Sequence, residues 1–251
     1  MTDGIGGDVI LVTGGASGLG AAISRVLHDK GFRVGIGDIN ADAATALAAE
    51  IDPSGATALG ITLDVREQTS FEAARDTLVA AWGSVEGLVN NAAATAAKPV
   101  LDITPDEFDA VMAINVRGTF VGSQVFGRVF KAQSYGRIVN LASLAGQNGG
   151  TATGAHYATS KGAIITLTKV FARDLAAFGV TANAIAPGPI DSPMVHRTIS
   201  EENMPRFLEN IPVRQLGAPD FIGDIAARLC ARDAGFVTGA TWDINGGLYM
   251  R

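Results

Sequence analysis

A tyrosine and a lysine four positions apart form the most reactive pattern in the sequence. Tyr157 and Lys161 occur in the segment Tyr-Ala-Thr-Ser-Lys, where a helical pattern begins. Residues at i and i+4 share one helical face, and a neighbouring cation lowers the pKa of a phenol from about 10. Such a tyrosine can act as a general acid or base near neutral pH. The spacing also suits a surface helix pair, but coincidence is less favoured in a chain with five lysines and three tyrosines.

Two further side chains near Tyr157 have types suited to the same chemistry. Ser143 follows a predicted strand at residues 138–141, so its hydroxyl could donate a hydrogen bond to a substrate oxygen; capping of a turn is the competing role. His156 adjoins Tyr157 and is a candidate substrate contact, with a solvent-facing residue at a helix start as the alternative.

A glycine-rich turn follows the first predicted strand and opens the first predicted helix. It reads Thr-Gly-Gly-Ala-Ser-Gly-Leu-Gly at residues 13–20. Gly14 and Gly18 permit a tight turn and close approach of a diphosphate to the backbone, and Gly20 allows the helix to pack on the strand. The absence of Gly-Lys-Ser/Thr disfavours an ATP-type loop, so the position of the turn indicates a dinucleotide site.

Acidic residues end the next two predicted strands. Asp38 could accept hydrogen bonds from an adenosine ribose and would repel a 2′-phosphate. Since neither Ser17 nor Ile39 is basic, NAD is favoured over NADP. Asp38 could instead cap a helix, a role also open to Asn40. Asp64 could contact the adenine amino group or cap the following helix, and the sequence does not separate these roles.

Short apolar runs alternate with helical patterns along the chain. The pattern predicts strands at residues 9–12, 32–36, 56–63, 85–89, 137–141 and 180–185, with a last strand within residues 239–247. It predicts helices at residues 21–27, 42–51, 71–82, 105–131 and 156–178. Strands apolar on both faces indicate a parallel sheet covered by helices on both sides. The expected fold is therefore a single α/β domain with a doubly wound sheet.

The overall composition excludes several other classes of protein. Of 251 residues, 47% are hydrophobic and 18% charged, so the chain is not expected to be disordered. One cysteine and three scattered histidines do not suit a disulfide framework or a metal site, and Cys230 is interpreted as a buried side chain. A net charge of −6 argues against nucleic-acid binding. No apolar run approaches the roughly 20 residues of a membrane span, and the N-terminus lacks a basic signal-peptide start. We therefore expect a cytoplasmic location.

The motifs taken together resemble the short-chain dehydrogenase/reductase family. The resemblance covers residues 9–247 and is carried, in order, by Thr13-Gly14-x-x-x-Gly18-x-Gly20, Asn90-Asn91-Ala92, Asn115, Ser143, Tyr157-x-x-x-Lys161 and Pro187-Gly188. Each motif is weak singly, but the set is specific. The resemblance implies a Rossmann-type sheet of seven parallel strands and NAD(P)-dependent alcohol–carbonyl chemistry.

The resemblance also assigns roles to individual residues. Tyr157 is the acid/base, Lys161 lowers its pKa and holds the nicotinamide ribose, and Ser143 polarises the substrate oxygen. Asn115 holds a water in a proton relay; read alone, it is a polar residue satisfied within a helix. The expected reaction is a single hydride transfer between an alcohol and NAD⁺. The implied cofactor contacts are Gly14, Ser17, Gly18, Leu19, Gly20, Asp38, Asp64, Val65, Asn91, Tyr157, Lys161, Pro187, Gly188 and Ile190.

Three departures from the family pattern concern loops. Ala93 stands where the family usually has glycine, and the gap between Ser143 and Tyr157 is about one residue longer than usual. The usual threonine after Pro187-Gly188 is missing, and Ser192 is its nearest substitute.

The long segment that follows, at about residues 189–215, is interpreted as a substrate lid. Its apolar residues, among them Met194, suit an apolar alcohol or ketone. The long helical patterns are apolar on more than one face, which suggests burial against a partner; the family implies a homotetramer, with a homodimer as the alternative. Two rival functions are an NADP-linked 3-oxoacyl-thioester reductase and a non-catalytic NAD-binding regulator.

Overall fold

A single parallel sheet of seven strands forms the centre of the molecule. The computed structural model describes residues 7–150, 153–192, 195–196 and 199–250. The strands lie in the order β3-β2-β1-β4-β5-β6-β7, and every neighbouring pair is parallel. The chain reverses its direction of winding between β1 and β4, which is the usual position of a ligand crevice in such sheets.

All seven predicted strands are confirmed, with shifts of a few residues at their ends. They are β1 (Val9–Thr13), β2 (Arg33–Asp38), β3 (Ala58–Thr62), β4 (Gly87–Asn90), β5 (Gly136–Leu141), β6 (Val180–Pro187) and β7 (Thr241–Ile244). Every residue of β1, β4, β5 and β6 is buried. This burial on both faces is the reason that these strands read as continuous apolar runs.

The predicted helices are confirmed, and the described residues contain three more. The α-helices are α1 (Gly18–Asp29), α2 (Ala41–Ile51), α3 (Gln68–Trp82), α4 (Pro105–Met112), α5 (Gly118–Gln133), α6 (Ala145–Asn148), α7 (Ala155–Leu175), α8 (Met204–Glu209) and α9 (Pro219–Cys230). A π-helical turn (Ala113–Arg117) joins α4 to α5, so the helix predicted over residues 105–131 is interrupted at Asn115. No helix of the described residues is long and apolar enough to cross a membrane.

The two faces of the sheet carry separate cores. On one face, Ile10 and Val12 pack in a cluster that includes residues of α1, α2 and α9. On the other face, Val9 and Leu11 pack in a cluster with residues of α3, α5 and α7. Cys230 lies in the first cluster and is fully buried, which confirms its interpretation as an interior side chain.

Helix α9 was not predicted from the sequence. It packs closely on α1, where an added Cβ at Gly223 would lie 2.7 Å from Cβ of Val26. Its signals are Pro219 in the first turn and the buried residues Ile222, Ala226 and Leu229 at helical spacing. The helix immediately follows the proline-rich segment, which obscured its beginning.

Candidate active site

The residues predicted to take part in binding or catalysis lie at the carboxyl edge of the sheet. Thr13, Asp38, Asn90 and Leu141 end β1, β2, β4 and β5, and Pro187 ends β6. Since all these strands are parallel, their carboxyl ends meet at the same edge, where the glycine turn, Ser143 and the Pro187-Gly188 segment also follow.

The glycine turn has the backbone form predicted from its composition. Gly14 and Gly18 have φ angles of +59° and +51°, a region that favours glycine. An added Cβ at Gly20 would overlap the carbonyl oxygen of Gly14 and lie 2.6 Å from Nδ2 of Asn91. Ser17 and Gly18 are exposed at the start of α1. The turn therefore presents a helix N-terminus that a diphosphate can approach.

Asn91 holds the shape of this turn. Its Nδ2 donates to the carbonyl oxygens of Thr13 and Gly14, both over 3.0 Å. In return, Oγ1 of Thr13 accepts the backbone N–H groups of Asn91 (3.0 Å) and Ala92 (3.1 Å). This role of the Thr13 hydroxyl was not predicted, although Thr13 is the first residue of the glycine motif.

Asn90, by contrast, is structural. Its buried Nδ2 donates to Oγ of Ser123 over 3.1 Å and to Oδ1 of Asn140 over 2.8 Å. Asparagines at strand ends often satisfy neighbouring polar groups in this way.

Asp38 faces the glycine turn and does not cap α2. Its Oδ2 accepts the backbone N–H of Ala16 over 3.1 Å, and its Oδ1 accepts that of Asn40 over 3.0 Å. Asn40 is the N-cap, because its side chain accepts from the backbone N–H of Ala43. The half-buried carboxylate is thus held beside the turn, which is the position that the predicted ribose contact needs.

The carboxylate of Asp64 forms a salt bridge with an arginine two residues further along the chain. Nη2 of Arg66 lies 2.6 Å from Oδ2 of Asp64, and the backbone N–H of Arg66 donates to Oδ1 over 2.9 Å. This pairing lowers the pKa of the Asp64 carboxyl from its ordinary value. Neither sequence-based role, adenine contact or helix capping, had anticipated Arg66. Val65 is buried against α5, where an added Cβ at Gly118 would lie 3.1 Å from Cβ of Val65.

Tyr157, Lys161 and Ser143 come together as predicted. Nζ of Lys161 lies 5.5 Å from the centroid of the Tyr157 ring and donates to the carbonyl oxygen of Leu141 over 2.6 Å. Oγ of Ser143 accepts the backbone N–H of Ala145 over 3.1 Å, which leaves the hydroxyl proton free to donate elsewhere.

Burial dominates the ionisation of this site. It raises the pKa of the Tyr157 phenol above its ordinary value, and the neighbouring Ser143 hydroxyl, as a hydrogen-bond partner, lowers it in part. The net direction is opposite to the one expected from Lys161 alone, because desolvation of the phenolate is the larger effect. Burial also lowers the pKa of Lys161 to about 8.

Asn115 is fully buried in the π-helical turn and bonds to two other elements. Its Oδ1 accepts the backbone N–H of Ala94 over 2.7 Å, and its Nδ2 donates to the carbonyl oxygen of Ala94 and to Oγ of Ser160, each over 2.9 Å. The side chain therefore fixes the loop after β4 against α7. A role in a water relay stays a prediction.

His156 lies in the interior, with 1% of its surface exposed. The solvent-facing alternative is wrong. Its Nδ1 accepts the backbone N–H of Tyr157 over 2.9 Å, and its burial leaves little imidazole surface for a substrate. The signal for this placement lies in Gly154, which makes room for the ring and which the sequence interpretation did not use.

The segment after β6 lies between the loop that carries Ser143 and the end of β7. The carbonyl oxygen of Pro187 accepts the backbone N–H of Leu144 over 2.9 Å. The N–H of Gly188 donates to the carbonyl oxygen of Ile244, also over 2.9 Å. Ile190 pairs with Gly217 and so ties the base of the predicted lid. Ser192 accepts the N–H of Val195 over 3.4 Å. Met194, a predicted substrate contact, lies outside the described residues.

The parallel sheet, the glycine turn and the Ser143–Tyr157–Lys161 group define a Rossmann-type oxidoreductase. A family model described as enoyl-(acyl carrier protein) reductase matches residues 14–249. The chain belongs to the short-chain dehydrogenase/reductase family, whose members use nicotinamide cofactors and interconvert alcohols and carbonyls.

Curated relatives cover nearly the whole chain but act on different substrates. The chain is 36% identical to a sorbitol dehydrogenase from Cereibacter sphaeroides over 97% of this chain and 98% of the relative. It is 38% identical to an acetoacetyl-CoA reductase from Shinella zoogloeoides over 96% and 98% of the two chains. It is 33% identical to a 3-oxoacyl-(acyl-carrier-protein) reductase from Escherichia coli over 97% and 98%.

Proposed function

We propose that the protein is an NAD-dependent oxidoreductase that interconverts a secondary alcohol and its ketone, with Tyr157 as the acid/base. The observation that carries this proposal is the half-buried side chain of Tyr157 beside the Ser143 hydroxyl and the ammonium of Lys161. These groups supply a proton donor or acceptor, a hydrogen-bond donor and a positive charge around one position.

The glycine turn fits a dinucleotide diphosphate. An added Cβ at Gly14 would lie 2.8 Å from Cα of Ala92, and an added Cβ at Gly20 would overlap the turn itself. The close backbone packing and the exposed Ser17–Gly18 start of α1 suit a bound phosphate rather than an ordinary connection. When bound, the nicotinamide would supply or accept the hydride.

The residues of the chain divide the remaining work. In alcohol oxidation, Ser143 donates a hydrogen bond to the substrate oxygen and stabilises its developing charge, while Tyr157 removes the hydroxyl proton. In ketone reduction, Tyr157 returns that proton. Lys161 donates one of its three N–H groups to Leu141, and the described residues leave the other two available to hold a ribose hydroxyl, with the positive charge near the phenol.

Asp38 supports NAD over NADP. Its carboxylate is held beside the glycine turn by the N–H groups of Ala16 and Asn40, and a 2′-phosphate there would meet like charge. Ile39, which follows it, is exposed and supplies no compensating cation.

Reduction of a 3-oxoacyl thioester is the second candidate. Relatives with names of this kind include an acetoacetyl-CoA reductase and a 3-oxoacyl-(acyl-carrier-protein) reductase. Asp38 speaks against the NADP-linked form. A non-catalytic NAD-binding regulator is disfavoured, because Ser143, Tyr157 and Lys161 are all in place.

Self-association through α4, α5 and α7 is also part of the proposal. Phe120 is 41% exposed and Val170 38% exposed, beside a groove of about 430 Å³ lined by residues such as Met112, Val116 and Leu167. This exposed apolar surface supports a homotetramer or homodimer in which a second copy buries it. Sedimentation of wild type and Phe120→Asp tests it; an unchanged oligomer, or a wild-type monomer, contradicts the assignment.

Turnover of a substrate panel tests the function. Secondary alcohols, ketones and acetoacetyl-CoA are assayed by NADH absorbance, with wild type, Tyr157→Phe and Tyr135→Phe. Tyr135 is the control because it lies at the opposite end of β5, with its hydroxyl 3.4 Å from Asp8. Tyr157→Phe is expected to abolish turnover and preserve NADH binding, while Tyr135→Phe retains both. Undiminished turnover by Tyr157→Phe would refute the proposal.

A further inference from the structure

We propose that His156 is a positioning residue for Tyr157, which it holds in place through the backbone at the start of α7. Nδ1 of His156 accepts the N–H of Tyr157 over 2.9 Å, and the imidazole is 1% exposed. This inference rests on the proposed role of Tyr157 as the acid/base.

The contact replaces a helix cap that the sequence does not otherwise provide. The N–H groups of the first helical turn have no intrahelical partner and usually bond to a capping side chain. The residue at the cap position of α7 is Gly154, which has no side chain. Its carbonyl oxygen accepts the N–H of Tyr157 over 3.1 Å, and His156 supplies the second acceptor.

The carbonyl group of Tyr157 is held by a second side chain. Oγ of Ser160 donates to this oxygen over 2.7 Å and accepts from Nδ2 of Asn115 over 2.9 Å. Both backbone polar groups of Tyr157 therefore have a side-chain partner. These contacts restrict rotation of the peptide units that carry the phenol, so they determine where its hydroxyl lies relative to Ser143.

The imidazole lies against Gly154, which is itself bonded to the loop after β4. An added Cβ at Gly154 would overlap the ring, at 2.7 Å from Nδ1, and would lie 2.8 Å from the carbonyl oxygen of Ala96. The N–H of Gly154 donates to that same oxygen over 2.9 Å. The same loop is also fixed two residues earlier, where Asn115 bonds to both backbone groups of Ala94.

The contact requires an acceptor atom in the side chain at position 156. Nδ1 can accept the N–H of Tyr157 only when this nitrogen carries no proton. An asparagine at position 156 could present its side-chain oxygen near the place of Nδ1. Leucine has a comparable volume and no acceptor, which makes the two substitutions a discriminating pair.

The test compares His156→Leu, His156→Asn and the control His28→Leu. His28 also makes one side-chain contact, 2.9 Å from Oγ1 of Thr57, but lies on α1 away from Tyr157. For each variant we measure kcat, the NADH dissociation constant, the melting temperature and the pKa of Tyr157. The last comes from tyrosinate absorbance after subtraction of the matching Tyr157→Phe background.

His156→Leu is expected to lower kcat by about 10- to 100-fold, because a displacement of about 1 Å at a reacting group has an effect of that order. It is also expected to raise the pKa of Tyr157, since the phenol moves away from the Ser143 hydroxyl. The NADH dissociation constant is expected to stay close to that of wild type. His156→Asn restores kcat and the Tyr157 pKa, and His28→Leu leaves both unchanged.

Two outcomes would overturn the inference. One is a loss of melting temperature in His156→Leu with unaltered kcat and Tyr157 pKa; the other is an equal defect in His156→Asn and His156→Leu. If His156→Leu does not fold, the smaller substitution His156→Ala provides the same test, because it also removes the acceptor. The Tyr157 titration does not depend on turnover, so it separates this inference from failure of the proposed function.

Discussion

The ammonium group of Lys161 donates a hydrogen bond to the carbonyl oxygen of Leu141 over 2.6 Å. This bond joins α7, which carries Tyr157, to the end of β5, two residues before Ser143. Lys161 is 3% exposed, so its charge is held in the interior with a single backbone partner from the described residues. The arrangement serves the site at a cost in stability, because burial disfavours the charged form.

Removal of Lys161 should therefore have a pH-dependent effect on stability. Burial lowers the folded-state pKa to about 8, while the unfolded chain has an ordinary value of about 10.4. Between these values the unfolded state binds more protons, so stability rises with pH. Relative to Lys161→Met, wild type should gain on the order of 3 kcal/mol in free energy of unfolding from about pH 7 to about pH 10. Urea unfolding at both pH values measures this gain.

Lys169→Met is the matched control for that experiment, because Lys169 is exposed on the same helix. Its difference from wild type should not vary over the range. A constant difference for Lys161→Met as well would show that Lys161 ionises alike in the folded and unfolded states.

Asp38→Asn should weaken the discrimination between the two nicotinamide cofactors. The substitution removes the charge and keeps one of the two oxygens that accept the N–H groups of Ala16 and Asn40. Repulsion of a 2′-phosphate is lost, so the ratio of NADPH to NADH dissociation constants should fall about tenfold, equivalent to about 1.4 kcal/mol. Fluorescence titration with both cofactors measures the ratio. Asp42→Asn, an exposed charge in the first turn of α2, should leave it unchanged; a ratio unaffected by Asp38→Asn would contradict the ribose role.

The sequence was most informative where a single local property, such as burial on both faces or a positive φ angle, determines the residue type. The apolar runs predicted all seven strands, because β1, β4, β5 and β6 are buried on both faces and cannot alternate with polar residues. Gly14 and Gly18 indicated the turn, because their positive φ angles are costly for other residues.

The sequence was least informative where a side chain has several possible partners. The helix-cap role of Asp38 could be set aside only once the position of Asn40 was known, and its ribose role stays a prediction. The pairing of Asp64 with Arg66 and the burial of His156 both depend on the tertiary positions of loops. The direction of the Tyr157 pKa was wrong for the same reason, since a spacing of four residues reveals the cation but not the burial around it.

Thr168→Val should destabilise the protein through the buried network beneath the site. Oγ1 of Thr168 accepts from Nδ2 of Asn140 over 2.9 Å and donates to the carbonyl oxygen of Ile164 over 2.8 Å. Valine keeps the shape and leaves a buried Asn140 N–H without this acceptor, which costs about 1–3 kcal/mol. Thermal or urea unfolding measures the loss. Thr77→Val is the control, because Thr77 is exposed and donates only to Ala73; equal losses in both variants would contradict a special role for the network.

Gly146→Ala should lower turnover by separating Ser143 from Tyr157. Helix α6 approaches α7 closely at this glycine, where an added Cβ would lie 2.6 Å from the backbone nitrogen of Gly162. Backbone atoms cannot move aside as a side chain does, so α6 must shift, and Ser143 at its start must shift with it. A displacement of about 1 Å there is expected to reduce kcat by as much as about 100-fold.

Gly162→Ala is the matched control, because its Cβ would lie 3.2 Å from the carbonyl oxygen of Gly146, a contact that needs a far smaller adjustment. Steady-state kinetics on both variants, with NADH binding as the measure of an intact glycine turn, should show a large kcat defect in Gly146→Ala only. Equal kcat values would mean that the approach of α6 to α7 does not set the position of Ser143.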